Sequence, residues 1–464
     1  MKDGSFASRL IAASHWSFIA WFIFGCICLL HLIIFFTITT DNNGDPNEYL
    51  AIARTLFMAD SPINPNRFIG YPLFLKVTSL NLRLINLTFF AQHILFLFAL
   101  WFFAKKITDI PLFRALIYLP GLIPSIAYIP NLLFPDCLIL SLLLLLGAYL
   151  YSGQFIRAFF VGLCLILIKL VFIFVPVIVI GAYLLTTQGR IKYKYTLSML
   201  GVALLGLIPA VFVFSPFPLY QSVVQKPSFI DEPAIPTAVP SPLTFRCGGQ
   251  ERILFESSAT AKFTDHSSDL YHMPLGQPLV QEFGCTPAEV KTLQRELVVS
   301  FFTQAPAHQF YKFMRRFVRN TFMLMDVPHV GYMLELKYQL MTTNFSPSQF
   351  YEKTQLEYFE GQGMKPLRPP GELFLRILNS YNFMYERILS FALLGIVCVG
   401  IVGILLKKIP YISLITPLLL IIIFYNFSIT FFAFGYDRYI FVNYFLWIAI
   451  IVSYLSSYLM KRAK

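Results

Sequence analysis

From Trp16 to Thr39 the chain runs twenty-four residues without an Asp, Glu, Lys or Arg. As a helix, that run is long enough to cross the ~30 Å hydrocarbon core of a bilayer. No small-residue cleavage site follows it, so it reads as a retained transmembrane helix and not as a secretory signal. Similar apolar runs recur to the end of the chain. In hydrocarbon every backbone N–H and C=O must be satisfied within the protein, which makes such runs helical. Composition agrees: 57% of residues are hydrophobic and 13% charged, against about a quarter charged in soluble proteins. The expected class is an all-α polytopic membrane protein.

Basic residues fix the topology. The clusters are Lys2 with Arg9, Lys105 with Lys106, Arg157, the Arg190, Lys192 and Lys194 group, Lys407 with Lys408, and Lys461, Arg462 and Lys464. Holding all of them on the cytoplasmic face makes spans near 16–39, 86–104, 112–130 and 136–151 alternate, with 41–84 and 131–136 outside. Between Arg157 and Arg190 lies about thirty residues of apolar sequence whose one charge is Lys169. A single crossing would put the Arg190 cluster on the wrong face, so two crossings are expected, turning at the outer surface near Lys169. Spans near 197–214, 386–406, 410–432 and 439–459 complete a count of about ten, with both termini cytoplasmic. The net charge of +12 is then an orientation signal and implies no nucleic acid.

The chain divides into an N-terminal membrane core (1–214, with its first outer loop at 41–84), an extracytoplasmic loop or small domain (215–385) and C-terminal helices (386–464). The middle part is polar, rich in proline from Pro216 to Pro242, and amphipathic from Val298 to Met325, where Arg315, Arg316 and Arg319 sit among aromatics. Of seven cysteines only Cys247 and Cys285 fall in it. Paired as a disulfide they imply an oxidising compartment, and such a bridge stabilises a loop of this size by about 3 to 4 kcal/mol.

Four short segments carry the polar residues that chemistry at an outer membrane face would need: DPNEYLAIARTL (Asp45 to Leu56), RFIGYPLFL (Arg67 to Leu75), GLCLILIK (Gly162 to Lys169) and GYDRYIF (Gly435 to Phe441). In this order they resemble the first-loop acidic motif, the Arg and Gly-Tyr-Pro element, the short helix ending in Lys and the late Arg-Tyr pair of the GT-C glycosyltransferases. Within that superfamily the chain is similar to the aminoarabinose transferase and protein O-mannosyltransferase-like group. The resemblance covers about two thirds of the chain and leaves out 215–385.

The resemblance implies transfer of a sugar from a polyprenyl-phosphate-linked donor, with inversion, to a hydroxyl of an extracytoplasmic glycan, lipid or protein acceptor. It favours a bacterial inner membrane, with the large loop periplasmic. Asp45 is the implied base, with Asp41 as second choice; a carboxylate at a helix mouth can take the acceptor proton while the anomeric carbon gains oxocarbenium character. Either can equally be a helix cap, and Pro46 after Asp45 suits that role. The leaving lipid phosphate needs fixed cations, for which Lys169, Arg438 and Arg67 are the candidates. Their structural alternatives are snorkelling for Lys169, an ion pair with Asp437 for Arg438 and loop anchoring for Arg67. Asp136 is a second acidic group, either positioning the acceptor or a metal, or capping the helix that follows it. Tyr49, Tyr71 and Tyr439 are interface or packing aromatics, with sugar stacking as the functional alternative.

No His-Glu-x-x-His, Walker or dinucleotide pattern is present, and His266, His272, His308 and His329 lack metal-ligand spacing. No nucleotide cofactor is therefore implied, and the sequence leaves a divalent metal open. The rival classes are a flippase or transporter for a lipid-linked saccharide and an O-antigen polymerase or ligase. The first calls for internal repeats and ionisable residues at bilayer mid-depth, and neither is evident in the sequence. The second calls for outer-loop arginines, which Arg315, Arg316 and Arg319 supply.

Overall fold

The computed structural model describes residues 14–37, 45–56, 69–169, 172, 175–186, 243–254, 412–432 and 437–463, with scattered positions within 284–292, 311–322 and 377–395. These residues are helical apart from turns, short connections and one hairpin. The helices are α1 (Ser14–Thr37), α2 (Asp45–Thr55), α3 (Gly70–Thr78), α4 (Ile85–Ile107), α5 (Pro111–Tyr118), α6 (Pro124–Tyr128), α7 (Asp136–Tyr151), α8 (Phe155–Ile168), α9 (Val175–Thr186), α10 (Ile412–Phe432) and α11 (Asp437–Ala463).

Two of these, α1 and α4, are long and apolar enough to cross a membrane, and a bent pair of helices between Pro111 and Asn131 adds a third candidate span. Shorter apolar helices occupy Asp136–Tyr151, Phe155–Ile168, Ile415–Phe427 and Phe441–Ser457. Most of α1 faces outward, with Phe18, Trp21, Phe22 and Leu29 exposed, as lipid contact requires. By contrast, α4 lies at the centre, packing against α3, α5 and α7. Its buried face carries Phe89, Phe96, Leu100 and Phe103.

The bend at 111–131 follows from its prolines. The two halves meet at 69°; Ile123, which precedes Pro124, is extended (φ −70°, ψ 117°), because the proline ring disfavours helical geometry in the residue before it. Breaking a helix exposes backbone donors, and here another part of the chain takes them up. Asn382 Oδ1 accepts from the Ser125 amide (2.9 Å) and hydroxyl (2.7 Å), and Tyr385 Oη donates to the Leu119 carbonyl at 3.1 Å. Broken helices are tolerated at membrane depth on that condition.

A second polar joint links α10 and α11. Asn426 and Asn443 exchange reciprocal amide hydrogen bonds (3.1 and 2.9 Å). Asn443 Nδ2 also donates to the Asn320 carbonyl at 3.0 Å, and Trp447 Nε1 to the Thr321 carbonyl at 2.9 Å. Asn320, Thr321, Asn382 and Tyr385, all within the 215–385 segment expected to be extracytoplasmic, are thus seated against the helical bundle. The physical reason is a set of backbone carbonyls and amides that only side chains from elsewhere can satisfy.

Away from the bundle, β1 (Leu243–Cys247) and β2 (Gln250–Leu254) form an antiparallel hairpin closed by Gly248 (φ 61°) and Gly249 (φ 76°). A two-residue loop with both φ positive strongly favours this Gly-Gly pair. Thr286 and Glu289 make a capping box: Glu289 Oε2 accepts from the Thr286 amide (2.7 Å) and hydroxyl (2.9 Å), while the Glu289 amide donates to Thr286 Oγ1 (3.3 Å). The same carboxylate accepts from the Gly248 amide at 3.3 Å, tying hairpin to helix start. Cys285, beside this junction, is disulfide-bonded. The side chain of Cys247, its expected partner, lies outside the described residues.

Hydrogen bonds from Thr286 and Gly248 hold the Glu289 carboxyl below its usual range. A depressed carboxyl contributes stability above its unfolded-state value and loses it as pH falls through the folded one. Amide hydrogen exchange should therefore show protection at Thr286 and Gly248 that is complete near neutrality and falls below about pH 4.5. Glu289→Gln should abolish that pH dependence.

Candidate functional site

The site is built where α2, α3, α4, α7 and the end of α8 meet. Helix α3 begins at Gly70, and a Cβ there would lie 2.6 Å from the Leu167 carbonyl oxygen, 2.7 Å from its carbon and 3.0 Å from the Ile168 amide nitrogen. All three are backbone atoms with no freedom to retreat. Glycine is thus what allows the Gly-Tyr-Pro element to rest on the last turn of α8, one residue before Lys169. Lys169 caps α8 in extended geometry (φ −155°, ψ 131°). Helix α8 ends there, and α9, the next helix, packs against it.

Helix α2 packs on α3, and Lys76 Nζ reaches across to donate to the Leu56 carbonyl at 2.8 Å. Tyr49 of α2 meets Tyr71 of α3 edge to face, with ring centroids 5.0 Å apart. Both are buried, and their rings pack against each other. Tyr71 Oη then donates to Gln92 Oε1 at 3.4 Å. Burial first, and then Tyr49, Cys137 and Asp136 nearby, hold the Tyr71 phenol well above the usual tyrosine range, so it remains a donor.

Gln92 and His93, consecutive on α4, clasp three consecutive residues of the segment that leads into α7. Gln92 Nε2 donates to the carbonyls of Pro130 (2.8 Å) and Leu132 (3.1 Å), and His93 Nε2 meets Asn131 Oδ1 at 2.7 Å. Cys137 Sγ, at the start of α7, donates back to the Gln92 carbonyl at 3.4 Å. This clasp fixes the position of Asp136, which is buried at 4% exposure and lies close enough to act electrostatically on Tyr71. Asp136 was expected either to cap α7 or to serve the acceptor. The cap position is held by Pro135, with no side-chain capping bond, and Asp136 is the first residue inside the helix. The first turn is where an acidic residue is favoured by the positive end of the helix dipole.

Asp45 opens α2 and Arg438 lies in the first turn of α11, but their side chains, with that of Tyr439, lie outside the described residues, as do Asp41 and Arg67. The structure therefore brings together the backbone of the Asp45 segment, the Gly-Tyr-Pro helix, Asp136 and the end of the Lys169 helix. Among the described residues no group of three or more His, Cys, Asp or Glu is placed to hold a metal ion.

Sequence reasoning passed over Gln92, His93, His31 and Asn131. His31 and His93 are 1% and 4% exposed, and their Nδ1 atoms are 2.8 Å apart, inside two candidate spans. The signal was available: neutral polar residues within apolar runs go unseen when spans are drawn from charge alone. No protein-family model, curated protein or solved structure matches this chain.

Two substitutions test the geometry. Gly70→Ala should destabilise the purified protein by about 1 to 3 kcal/mol through overpacking, while Gly25→Ala, with nothing near its added methyl, should leave thermal unfolding unchanged or slightly raised. Gln92→Leu strands two buried carbonyls and the Tyr71 hydroxyl, at about 1 to 3 kcal/mol for each group left unsatisfied. It should lower the unfolding midpoint more than Ile94→Ala on the exposed side of the same helix.

Proposed function

We propose that this protein is a GT-C-like membrane glycosyltransferase of about ten spans that moves a sugar from a polyprenyl-phosphate donor to a hydroxyl of an extracytoplasmic glycan, lipid or protein. The observation that carries the reading is the seating of Gly70 on the Leu167 and Ile168 backbone. It joins two of the four motif segments directly, and the packing of α2 on α3 brings a third, the one that begins at Asp45, to the same place.

In this reading the Asp45 carboxylate takes the proton of the acceptor hydroxyl. The acceptor oxygen bonds to the anomeric carbon from the face opposite the phosphate, the bond to the phosphate oxygen breaks, and the lipid phosphate leaves with the electron pair. Lys169, Arg67 and Arg438 stabilise that phosphate at the membrane boundary. Asp136, behind the Tyr71 to Gln92 contact, orients the acceptor. Asp41 stands in reserve as base. Both termini are cytoplasmic, the membrane is a bacterial inner membrane, and Cys247 pairs with Cys285 in the periplasmic segment.

One observation favours a second reading. A flippase or transporter uses ionisable residues at depth, and the buried His31 and His93 pair supplies what the sequence did not display.

Mass spectrometry of envelope glycans separates the two. Cells with the wild-type protein should carry one sugar mass that is absent on deletion and reduced about 10²- to 10⁴-fold by Asp45→Asn, the range expected for loss of a general base. Lys169→Ala should reduce it as well. Wild-type behaviour of Asp45→Asn removes Asp45 as base. A deletion that changes only the amount or length of whole glycans favours a flippase or polymerase instead.

A further inference from the structure

The hydrogen-bond chain through His31 and His93 has a direction that can be read from its far end. Asn131 Nδ2 donates to the Ile34 carbonyl at 3.0 Å; the reversed amide would set two oxygens at that separation, so Asn131 Oδ1 faces His93. An oxygen acceptor at 2.7 Å from His93 Nε2 requires a proton on that nitrogen. In a neutral imidazole His93 Nδ1 is then an acceptor, and the proton in the 2.8 Å contact between the two rings belongs to His31 Nδ1. His31 Nε2 is left as a bare lone pair, buried and without a hydrogen-bond partner among the described residues. A proton there would be an unsatisfied buried donor, which reinforces the same tautomer. Packing holds the rings in these orientations: His31 stacks on Phe96 at 5.1 Å between centroids and meets His93 edge to face at 5.0 Å.

We infer that His31 and His93 are positioning residues: with Asn131 they form a one-directional relay that joins α1 to α4 and sets the segment leading into Asp136. The relay rests on the transferase reading for its purpose, since that reading gives Asp136 the task of orienting the acceptor. Its geometry does not. Gln92 holds the backbone carbonyls of Pro130 and Leu132, and His93 holds the side chain of Asn131 between them. His31 contributes by fixing the His93 tautomer: if His93 carried its proton on Nδ1, its Nε2 could no longer donate to Asn131. Neither imidazole touches the reacting atoms.

Nitrogen-15 NMR of histidine-labelled full-length protein in nanodiscs tests this directly, with signals assigned by their loss in His31→Gln and His93→Gln. The expected result is a neutral His31 protonated at Nδ1 and a neutral His93 protonated at Nε2. His93→Leu, which can neither donate nor accept, should shift the amide resonances of Leu132 to Asp136 and lower the sugar-bearing glycan about tenfold or more, as small misplacements of reacting groups do. His93→Gln, whose amide can accept from His31 and donate to Asn131, should restore both. His31→Phe keeps the stacking on Phe96 but removes the donor, and should reproduce part of the His93→Leu shift. Reversed tautomers, or a His93→Gln protein as disturbed as His93→Leu, overturn the relay. If tautomers and shifts are as stated but deletion of the protein changes only the amount or length of whole glycans, the transferase reading fails while the relay stands.

Discussion

The structure around the site depends on one constraint: backbone polar groups freed by prolines inside an apolar bundle must find partners in the protein. The run Pro111 to Asn131 breaks at its prolines, and the consequences are met residue by residue. Asn382 and Tyr385 serve the break itself, and Gln92 serves the carbonyls at its far end. Because an unsatisfied group costs several kcal/mol in such surroundings, these bonds specify where the segment lies. Asp136 and the first turn of α7 inherit their position from it.

A second consequence is that the site is assembled from parts far apart in sequence without a dedicated domain. Gly70 permits a backbone contact that a methyl group would forbid, and Lys76 closes the other end of α3 onto α2. Between them Tyr71 connects the outer elements to the clasp. Three local devices, a missing side chain, a lysine bonded across to a backbone carbonyl and a buried phenol, thereby link three motif segments. Each is chemically simple, and none is a recognisable motif by itself.

Much of the helical layout was legible in the sequence, because uninterrupted apolar runs and basic clusters report directly on where helices lie. The interval 136–151 and the turn at Lys169 were read from charge parity, and helices end there in the structure. Among the described helices two, or three with the bent pair, are long and apolar enough to span, so the count of about ten remains part of the proposal. What was not legible is the polar interior. Gln92, His93 and Asn131 carry no charge and no spacing signature, and their meaning comes from contacts across about forty residues of sequence. Asp136 illustrates the same limit: its sequence setting suggested a helix cap, whereas the geometry places Pro135 at the cap and buries Asp136 one residue further in. Tyr49 and Tyr71 likewise resolved into packing only once their neighbours were known.

The central claim is that the Gly-Tyr-Pro helix and the end of the Lys169 helix form one face that receives a lipid phosphate. Photo-crosslinking of the purified full-length protein in nanodiscs with a photoactivatable polyprenyl phosphate, mapped by peptide mass spectrometry, tests it most directly. The account predicts adducts concentrated on residues 69–78 and 162–169, competed by unlabelled polyprenyl phosphate and lost in Lys169→Ala. Adducts spread along the lipid-facing side of α1, unaffected by competitor or by Lys169→Ala, would contradict it.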